Sequence, residues 1–100
     1  MSNDIFLGCP YNIACYSTLA HLFARHLGIK ATKLIYQIGD VHLYANHLDQ
    51  AKLQLSRQPY RCPSIIIDKS IKNFDDWNDI KQISLINYQH HSFIKAPVAI

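Results

Sequence analysis

The sequence predicts a fold that mixes helices and strands, because two kinds of hydrophobic periodicity occur along it. Residues 12–27 place apolar side chains at helical spacing, residues 31–38 alternate with the period of a strand, and residues 64–67 form a short apolar run. The chain has 100 residues, which allows one domain at most.

The first predicted helix covers about residues 12–27 and stops at Gly28. Its main apolar face consists of Ile13, Tyr16, Leu19, Ala20, Phe23 and Leu27. Cys15, Leu22 and Ala24 make the other side apolar as well. A helix that is apolar nearly all round is expected to be buried, in the middle of something larger than this chain can easily build.

Further elements follow in order. The strand 31–38 ends at Gly39 and Asp40, and residues 42–57 are predicted to form a second helix that runs into Pro59. Residues 64–67 form a short strand, the acidic residues 74–79 a short helix, and residues 83–88 a last strand. Residues 94–100 form a tail whose only charge is Lys95.

The composition is that of a globular protein rather than a disordered one, with 49% hydrophobic and 17% charged residues. A chain this short removes only roughly 60 to 65% of its unfolded surface from water, so it has little capacity to cover so many apolar side chains. The excess apolar surface predicts missing partner structure.

Charge and motif composition exclude several classes of function. The formal charge of +3 comes from scattered Lys and Arg, which is not a nucleic-acid footprint. No run of about 20 apolar residues predicts a membrane span, and the first residues do not resemble a signal peptide. Three cysteines without paired spacing predict reduced thiols. We therefore expect a cytoplasmic protein.

Asn12 is the first candidate site residue, because its carboxamide can accept from one group and donate to the next. Uracil presents such a pair, a ring N–H beside a carbonyl. An ordinary helix cap is the competing interpretation. His42 and Tyr44 follow the turn at Gly39 and Asp40, and both can bind a sugar hydroxyl.

A metal site and a cysteine nucleophile are not predicted. The spacing of five between His42 and His47 does not place two imidazoles on one helix face. Cys9 precedes a helix whose N-terminus could lower its pKa, but no oriented base accompanies it. Cys15 and Cys62 are interpreted as small core residues. The other histidines, His21, His26, His90 and His91, are assigned no role.

Four segments, in order and in register, resemble thymidylate synthase. They are DIFLGCPYNIA at 4–14, GDVHLYANHLDQ at 39–50, LSRQP at 55–59 and IKAPVAI at 94–100. The resemblance covers the whole chain, residues 1–100, and is to the C-terminal part of a single thymidylate synthase domain. The family's N-terminal portion, with its Pro-Cys-His nucleophile motif, has no counterpart in this sequence.

This resemblance implies an α/β fold in which a large curved sheet packs on a long buried helix and pairs two subunits into a homodimer. It also implies reductive methylation of dUMP to dTMP, with 5,10-methylenetetrahydrofolate as co-substrate. Without the nucleophile, the chain is expected to be inactive unless it meets an N-terminal portion or an intact subunit. No membrane or nucleic-acid partner is implied.

Individual roles follow residue by residue from the same resemblance. For dUMP, Ser2 would bind near the phosphate, Asn12 would bind the uracil edge, and His42 with Tyr44 would hold the ribose hydroxyl. For folate, Asp4 would accept from the pterin ring and Gly8 would allow close approach of the backbone. Ile100 would end a tail that closes over the site.

Two departures from the family pattern stand out, and three interpretations remain. Cys9 occupies a position where Leu is usual, and residues 88–93 replace a more Pro-rich approach to the tail. The chain is an enzyme portion that needs a partner, or a non-catalytic truncated remnant or subunit-pairing module. The third interpretation, deoxycytidylate hydroxymethylase, would need an acid at position 12, so Asn12 favours uracil.

Overall fold

The structure is a computed structural model, and it describes residues 3–98. Two α-helices occur, α1 (Gly8–His26) and α2 (Leu48–Leu55). Four short strands are β1 (Asn3–Asp4), β2 (Val41–His42), β3 (Ser64–Ile67) and β4 (Ile83–Ile86). Short 3-10 helices cover Ala45–His47, Phe74–Asp76 and Ile80–Gln82. This confirms the predicted mixed α/β class.

Helix α1 begins one turn earlier than predicted, because hydrogen bonds to the side chain of Asp4 stabilise the turn before it. The Asp4 Oδ1 accepts from the backbone N–H of Phe6 at 2.9 Å and of Leu7 at 3.2 Å, which sets the turn that leads into Gly8. Pro10 lies in the first turn, where its missing N–H is tolerated. The helix ends as predicted, with Gly28 at a φ of 67°.

The strands form two separate pairs within residues 3–98. β1 and β2 are parallel, with Asn3 opposite Val41 and Asp4 opposite His42. β3 and β4 are antiparallel over the four residues of each strand. Within these residues the structure therefore contains two small two-stranded sheets, whereas the resemblance implies one large curved sheet.

Several element boundaries differ from the predictions. Residues 31–38 form no strand, because their backbones have no strand to pair with among residues 3–98. The second helix does not start at His42, which pairs in β2; a 3-10 turn and α2 follow it. The predicted helix 74–79 is reduced to the 3-10 turn Phe74–Asp76. β3 is confirmed, whereas β4 ends before Asn87, whose φ of 58° breaks the strand.

The main core lies between the second half of α1 and the loop before β4. Leu22 and Ile71 are only 2% and 1% exposed, and Ala24 is also buried. Phe23 and Phe74 stack with their ring centroids 5.0 Å apart. This core fastens residues 68–76 to α1.

The prediction that α1 is buried nearly all round is wrong for this chain. Only Cys9, Leu22 and Ala24 of the helix are buried. Its large exposed apolar residues are Tyr11, Ile13, Tyr16 and Phe23. Cys15 and Cys62 are exposed as well, so their predicted place in a core is also wrong. The physical reason is that too little chain surrounds these side chains to cover them.

The solvent-accessible surface area shows how much of the chain is left uncovered. The chain exposes 8401 Å², whereas a compact monomer of its mass exposes about 5,800 Å². Its radius of gyration is 16.2 Å, compared with about 13 Å for a compact domain of 100 residues. Among the described residues, no helix is both long enough and apolar enough to cross a membrane.

Candidate functional site

The centre of the site is His47, a fully buried histidine with 0% exposure. It ends the 3-10 turn that precedes α2. Its Nε2 lies 2.6 Å from the carbonyl oxygen of Pro97, and its Nδ1 lies 4.0 Å from Oδ2 of Asp4. The rings of Phe6 and Tyr44 pack against it, with centroids at 5.5 Å and 5.8 Å. His47 therefore joins β1, the start of α2 and the tail.

The parallel strand pair brings Asp4 and His42 together. They are register partners, and the backbone N–H of Ile5 donates to the carbonyl of His42 at 3.0 Å. The His42 ring lies edge-on to Tyr44 with centroids 4.7 Å apart, and its Nδ1 is 4.0 Å from Oδ1 of Asp40. Three of the predicted site residues, Asp4, His42 and Tyr44, thus share one end of the molecule.

Asn12 lies on the exposed side of α1. It is the fifth residue of the helix rather than its cap, so the competing interpretation as a helix cap is wrong. Asn12 lines an open cleft of about 660 Å³ between α1 and residues 34–39, together with Asn3, Tyr16 and Tyr36. The amide of Asn3 donates to the Tyr36 hydroxyl at 3.0 Å across this cleft.

Gly8 is the first residue of α1 and is half-buried. A Cβ at this position would lie 3.7 Å from Oδ1 of Asn3 and 3.8 Å from Cβ of Asp4, which are ordinary contacts. Nothing within the described residues therefore requires glycine at this position. The predicted role in close approach to a ligand stays a prediction.

The approach to the tail runs along the end of α2. Arg57 donates from one guanidinium nitrogen to the carbonyl of Ser92 at 2.7 Å and from another to its hydroxyl at 3.3 Å. The ring of His91 bonds the carbonyl of Gln58 at 2.8 Å. A second cavity, of about 570 Å³, lies between this segment and the start of α1. These contacts give the path of residues 88–98, which the departure from the family pattern left open.

Ser2 and Ile100, for which binding roles are predicted, lie outside the described residues. Cys9 is buried within the first turn of α1. Within the described part of the chain, no three His, Cys, Asp or Glu side chains converge as a metal site requires.

Sequence reasoning missed two residues of this site. His47 was considered only as a metal ligand, and Arg57 was assigned no role. The signal for His47 is its place at the end of GDVHLYANH, residues 39–47, the segment that also carries His42 and Tyr44. Its burial and its contact with Pro97, 50 residues further along, depend on the tertiary structure.

The fold and site define an α/β protein whose polar and aromatic residues gather where a parallel strand pair meets the starts of two helices. A carboxylate, two histidines and a tyrosine lie there beside the tail, and a cleft lined by amides lies nearby.

The sequence model of the family described as "Thymidylate synthase" matches residues 1–100. The chain belongs to the thymidylate synthase family. It is 48% identical over 99 residues to the thymidylate synthase of Wigglesworthia glossinidia brevipalpis and 46% identical to that of Coxiella burnetii strain Dugway 5J108-111. Both alignments cover 99% of this chain and 37% of the relative.

A solved structure, thermostable thymidylate synthase A from Bacillus subtilis, superposes with a TM-score of 0.92 at 35% identity. The superposition covers 99% of this chain and 35% of that one. The chain thus spans little more than a third of the length of the proteins it matches, yet it has the same backbone course over that third.

Proposed function

We propose that this chain supplies the nucleotide- and folate-binding part of a thymidylate synthase and acts only together with the family's N-terminal portion. The reaction would be reductive methylation of dUMP to dTMP, with 5,10-methylenetetrahydrofolate as co-substrate. The observation that carries the proposal is the family match over residues 1–100, combined with the 37% share of each relative that it covers.

The proposed nucleotide contacts come from the two polar regions of the site. Asn12 would bind the uracil edge from the open cleft, where its side chain is accessible. His42 and Tyr44 would hold the ribose hydroxyl, and their edge-on packing fixes both rings in one orientation. Ser2 would bind near the phosphate.

The proposed folate contacts centre on Asp4. Its Oδ1 is already occupied by two backbone N–H groups, which leaves Oδ2 to accept from the pterin ring. Gly8, directly after the turn that Asp4 stabilises, would allow the backbone to approach the cofactor. The tail that ends at Ile100 would close over both ligands and exclude water.

The exposed surface supports the proposal that further structure packs against this chain. The chain exposes about 2,600 Å² more than a compact monomer of its mass, an excess as large as the face that one subunit buries in an extensive obligate interface. Part of it lies on α1 and residues 29–35, where large apolar side chains are uncovered. An N-terminal synthase portion would cover them, and the family's homodimer would form from the completed domain.

The cysteines support the proposal that the isolated chain is inactive. The family reaction starts with addition of a thiolate to the pyrimidine ring. Cys9, Cys15 and Cys62 are not part of a Pro-Cys-His motif, and Cys9 is buried. This chain would bind and orient the substrates, and the nucleophile would come from the partner.

Complementation tests the proposal. The chain is assayed for dTMP formation alone and after mixing with an N-terminal synthase portion that has the Pro-Cys-His motif, with that portion alone as control. We expect turnover only in the mixture. Turnover by this chain alone would overturn the claim of inactivity, and Cys9→Ser would then test its thiol.

A subunit-pairing module is the second candidate, because the same exposed apolar surface would serve it. It predicts a stable complex without turnover even when nucleotide and folate are saturating. Size-exclusion chromatography of the mixture, run beside the activity assay, separates the two candidates.

A further inference from the structure

The two carboxylate oxygens of Asp4 have different surroundings. Its Oδ1 accepts from two backbone N–H groups, and its Oδ2 faces Nδ1 of His47 at 4.0 Å. The carboxylate is mostly buried, with 19% of its side chain exposed. At 4.0 Å the two atoms are not hydrogen-bonded, and Nδ1 has no hydrogen-bond partner among the described residues, so His47 acts on Oδ2 through the space and the electrostatic field that its ring provides there.

On the other side of the ring, Nε2 of His47 contacts the tail. A carbonyl oxygen only accepts, so the 2.6 Å contact with Pro97 requires a hydrogen on Nε2 of His47. Pro97 has no N–H, so its carbonyl is the backbone group that can anchor the tail at this residue. Because His47 is fully buried, loss of this bond would leave a polar group unpaired away from water.

The ring has little freedom to move by itself. Phe6 and Tyr44 pack against it, and Phe6 is also the residue whose N–H bonds Oδ1 of Asp4. A shift of the tail at Pro97 that moved this ring would therefore also move the Phe6 side chain and change the surroundings of Asp4.

We propose that His47 is a positioning residue that couples the tail, through the Pro97 carbonyl, to the orientation of Asp4 Oδ2. The part of this inference that concerns folate rests on the proposed function. The structural link between His47 and the tail is independent of the proposed function.

Two substitutions of His47 separate the roles of its nitrogens. His47→Gln keeps a donor near the place of Nε2, whereas His47→Asn keeps a polar atom near Nδ1 and loses the donor to the tail. His91→Asn is the matched control, because its ring also bonds a main-chain carbonyl, but that of Gln58, outside the tail.

Amide hydrogen exchange of residues 94–96 and 98 in the free chain measures how firmly His47 holds the tail. We expect His47→Asn to speed exchange about two- to tenfold, the range for loss of one buried hydrogen bond, and His47→Gln and His91→Asn to change it less than twofold. Equal exchange in the wild type and in His47→Asn would overturn the proposal.

A second measurement covers the case in which His47→Asn fails to fold. In the wild-type chain labelled with ¹⁵N-histidine, the Nε2–H of His47 should exchange slowly, and truncation after Ala96 should make it exchange rapidly. Unchanged exchange after truncation would show that the tail does not hold this proton.

The complemented enzyme tests the coupling to folate. His47→Asn should lower kcat and raise the folate KM, about tenfold in their ratio, while dUMP affinity stays within twofold. Equal weakening of dUMP and folate would reduce His47 to a general structural role. Absence of turnover in the wild-type complex would refute the proposed function, and the exchange experiments would still decide the link to the tail.

Discussion

The Nε of Arg25 donates to the carbonyl of Ile71 at 2.9 Å and thereby joins the end of α1 to a loop 46 residues further along. A second guanidinium nitrogen reaches the carbonyl of Asp68 at 3.2 Å. The forked guanidinium group of Arg25 lies at the edge of the main core, so its two hydrogen bonds hold the loop over the buried Ile71 side chain.

Arg25→Lys should lower the free energy of unfolding by about 1 to 2 kcal/mol, because one ammonium cannot reproduce two bonds from a planar fork. Urea denaturation followed by circular dichroism measures it. Arg61→Lys is the control, because no hydrogen bond of its guanidinium is found within residues 3–98. Equal effects at the two positions would mean that the fork does not stabilise the loop.

Ile71→Val should cost about 0.5 to 1.5 kcal/mol of stability, because it removes a methylene group from a side chain that is 1% exposed. Ile80→Val makes the same chemical change at a side chain that is 81% exposed and should stay within about 0.5 kcal/mol. The same denaturation experiment compares them. A larger loss at Ile80 would place the core elsewhere.

Acid should loosen the loop around Asp76. The backbone N–H of Asn73, then that of Lys72, and less strongly the charge of Lys72 hold the pKa of Asp76 below its ordinary value of 3.8. With a pKa lowered in the folded state, the contribution to stability is complete above pH 3.8 and is lost as pH falls through the lower folded value.

Fluorescence of Trp77, the only tryptophan, reports this loss during acid titration. Asp76→Asn should remove most of the change in signal between pH 5 and pH 2, roughly the range in which such a carboxylate titrates. Asp75→Asn is the control, because its carboxylate accepts no hydrogen bond among the described residues. If Asp75→Asn flattened the titration equally, Asp76 would not be its source.

Asn12→Asp in the complemented enzyme should shift preference from dUMP toward the cytosine nucleotide. Cytosine presents an amino group and an unprotonated ring nitrogen, which match an acid better than an amide. Loss of one matched hydrogen bond changes discrimination about ten- to a hundredfold. The kcat/KM ratio for the two nucleotides measures it, with Asn78→Asp as control. An unchanged ratio would mean that Asn12 does not read the base.

Deletion of Ile100 from the complemented enzyme should lower turnover far more than it weakens nucleotide binding. A closing tail serves the chemical steps after the nucleotide has bound. Calorimetry of dUMP binding, compared with turnover for the full and shortened chains, measures the difference. An unchanged turnover rate would leave the tail with a packing role alone.

Local patterns predicted several elements well. The stop of α1 at Gly28 and the strand β3 depend on neighbouring residues, and both are confirmed. The start of α1 was predicted a turn late, because the side chain of Asp4 sets it from outside the periodic segment. Residues 31–38 have the alternation of a strand but no strand to pair with in the described part of the chain, and alternation alone does not supply hydrogen bonds.

The sequence by itself determined the family, the mixed α/β class and the excess of apolar side chains, because these depend on motifs, periodicity and composition. Only the tertiary structure decided which residues meet. It buried His47 between Asp4 and Pro97, placed Asn12 in an open cleft, and left much of α1 uncovered. The burial of His47 depends on contacts with Asp4 and with Pro97, which lies 50 residues further along the chain, and no local pattern encodes such contacts.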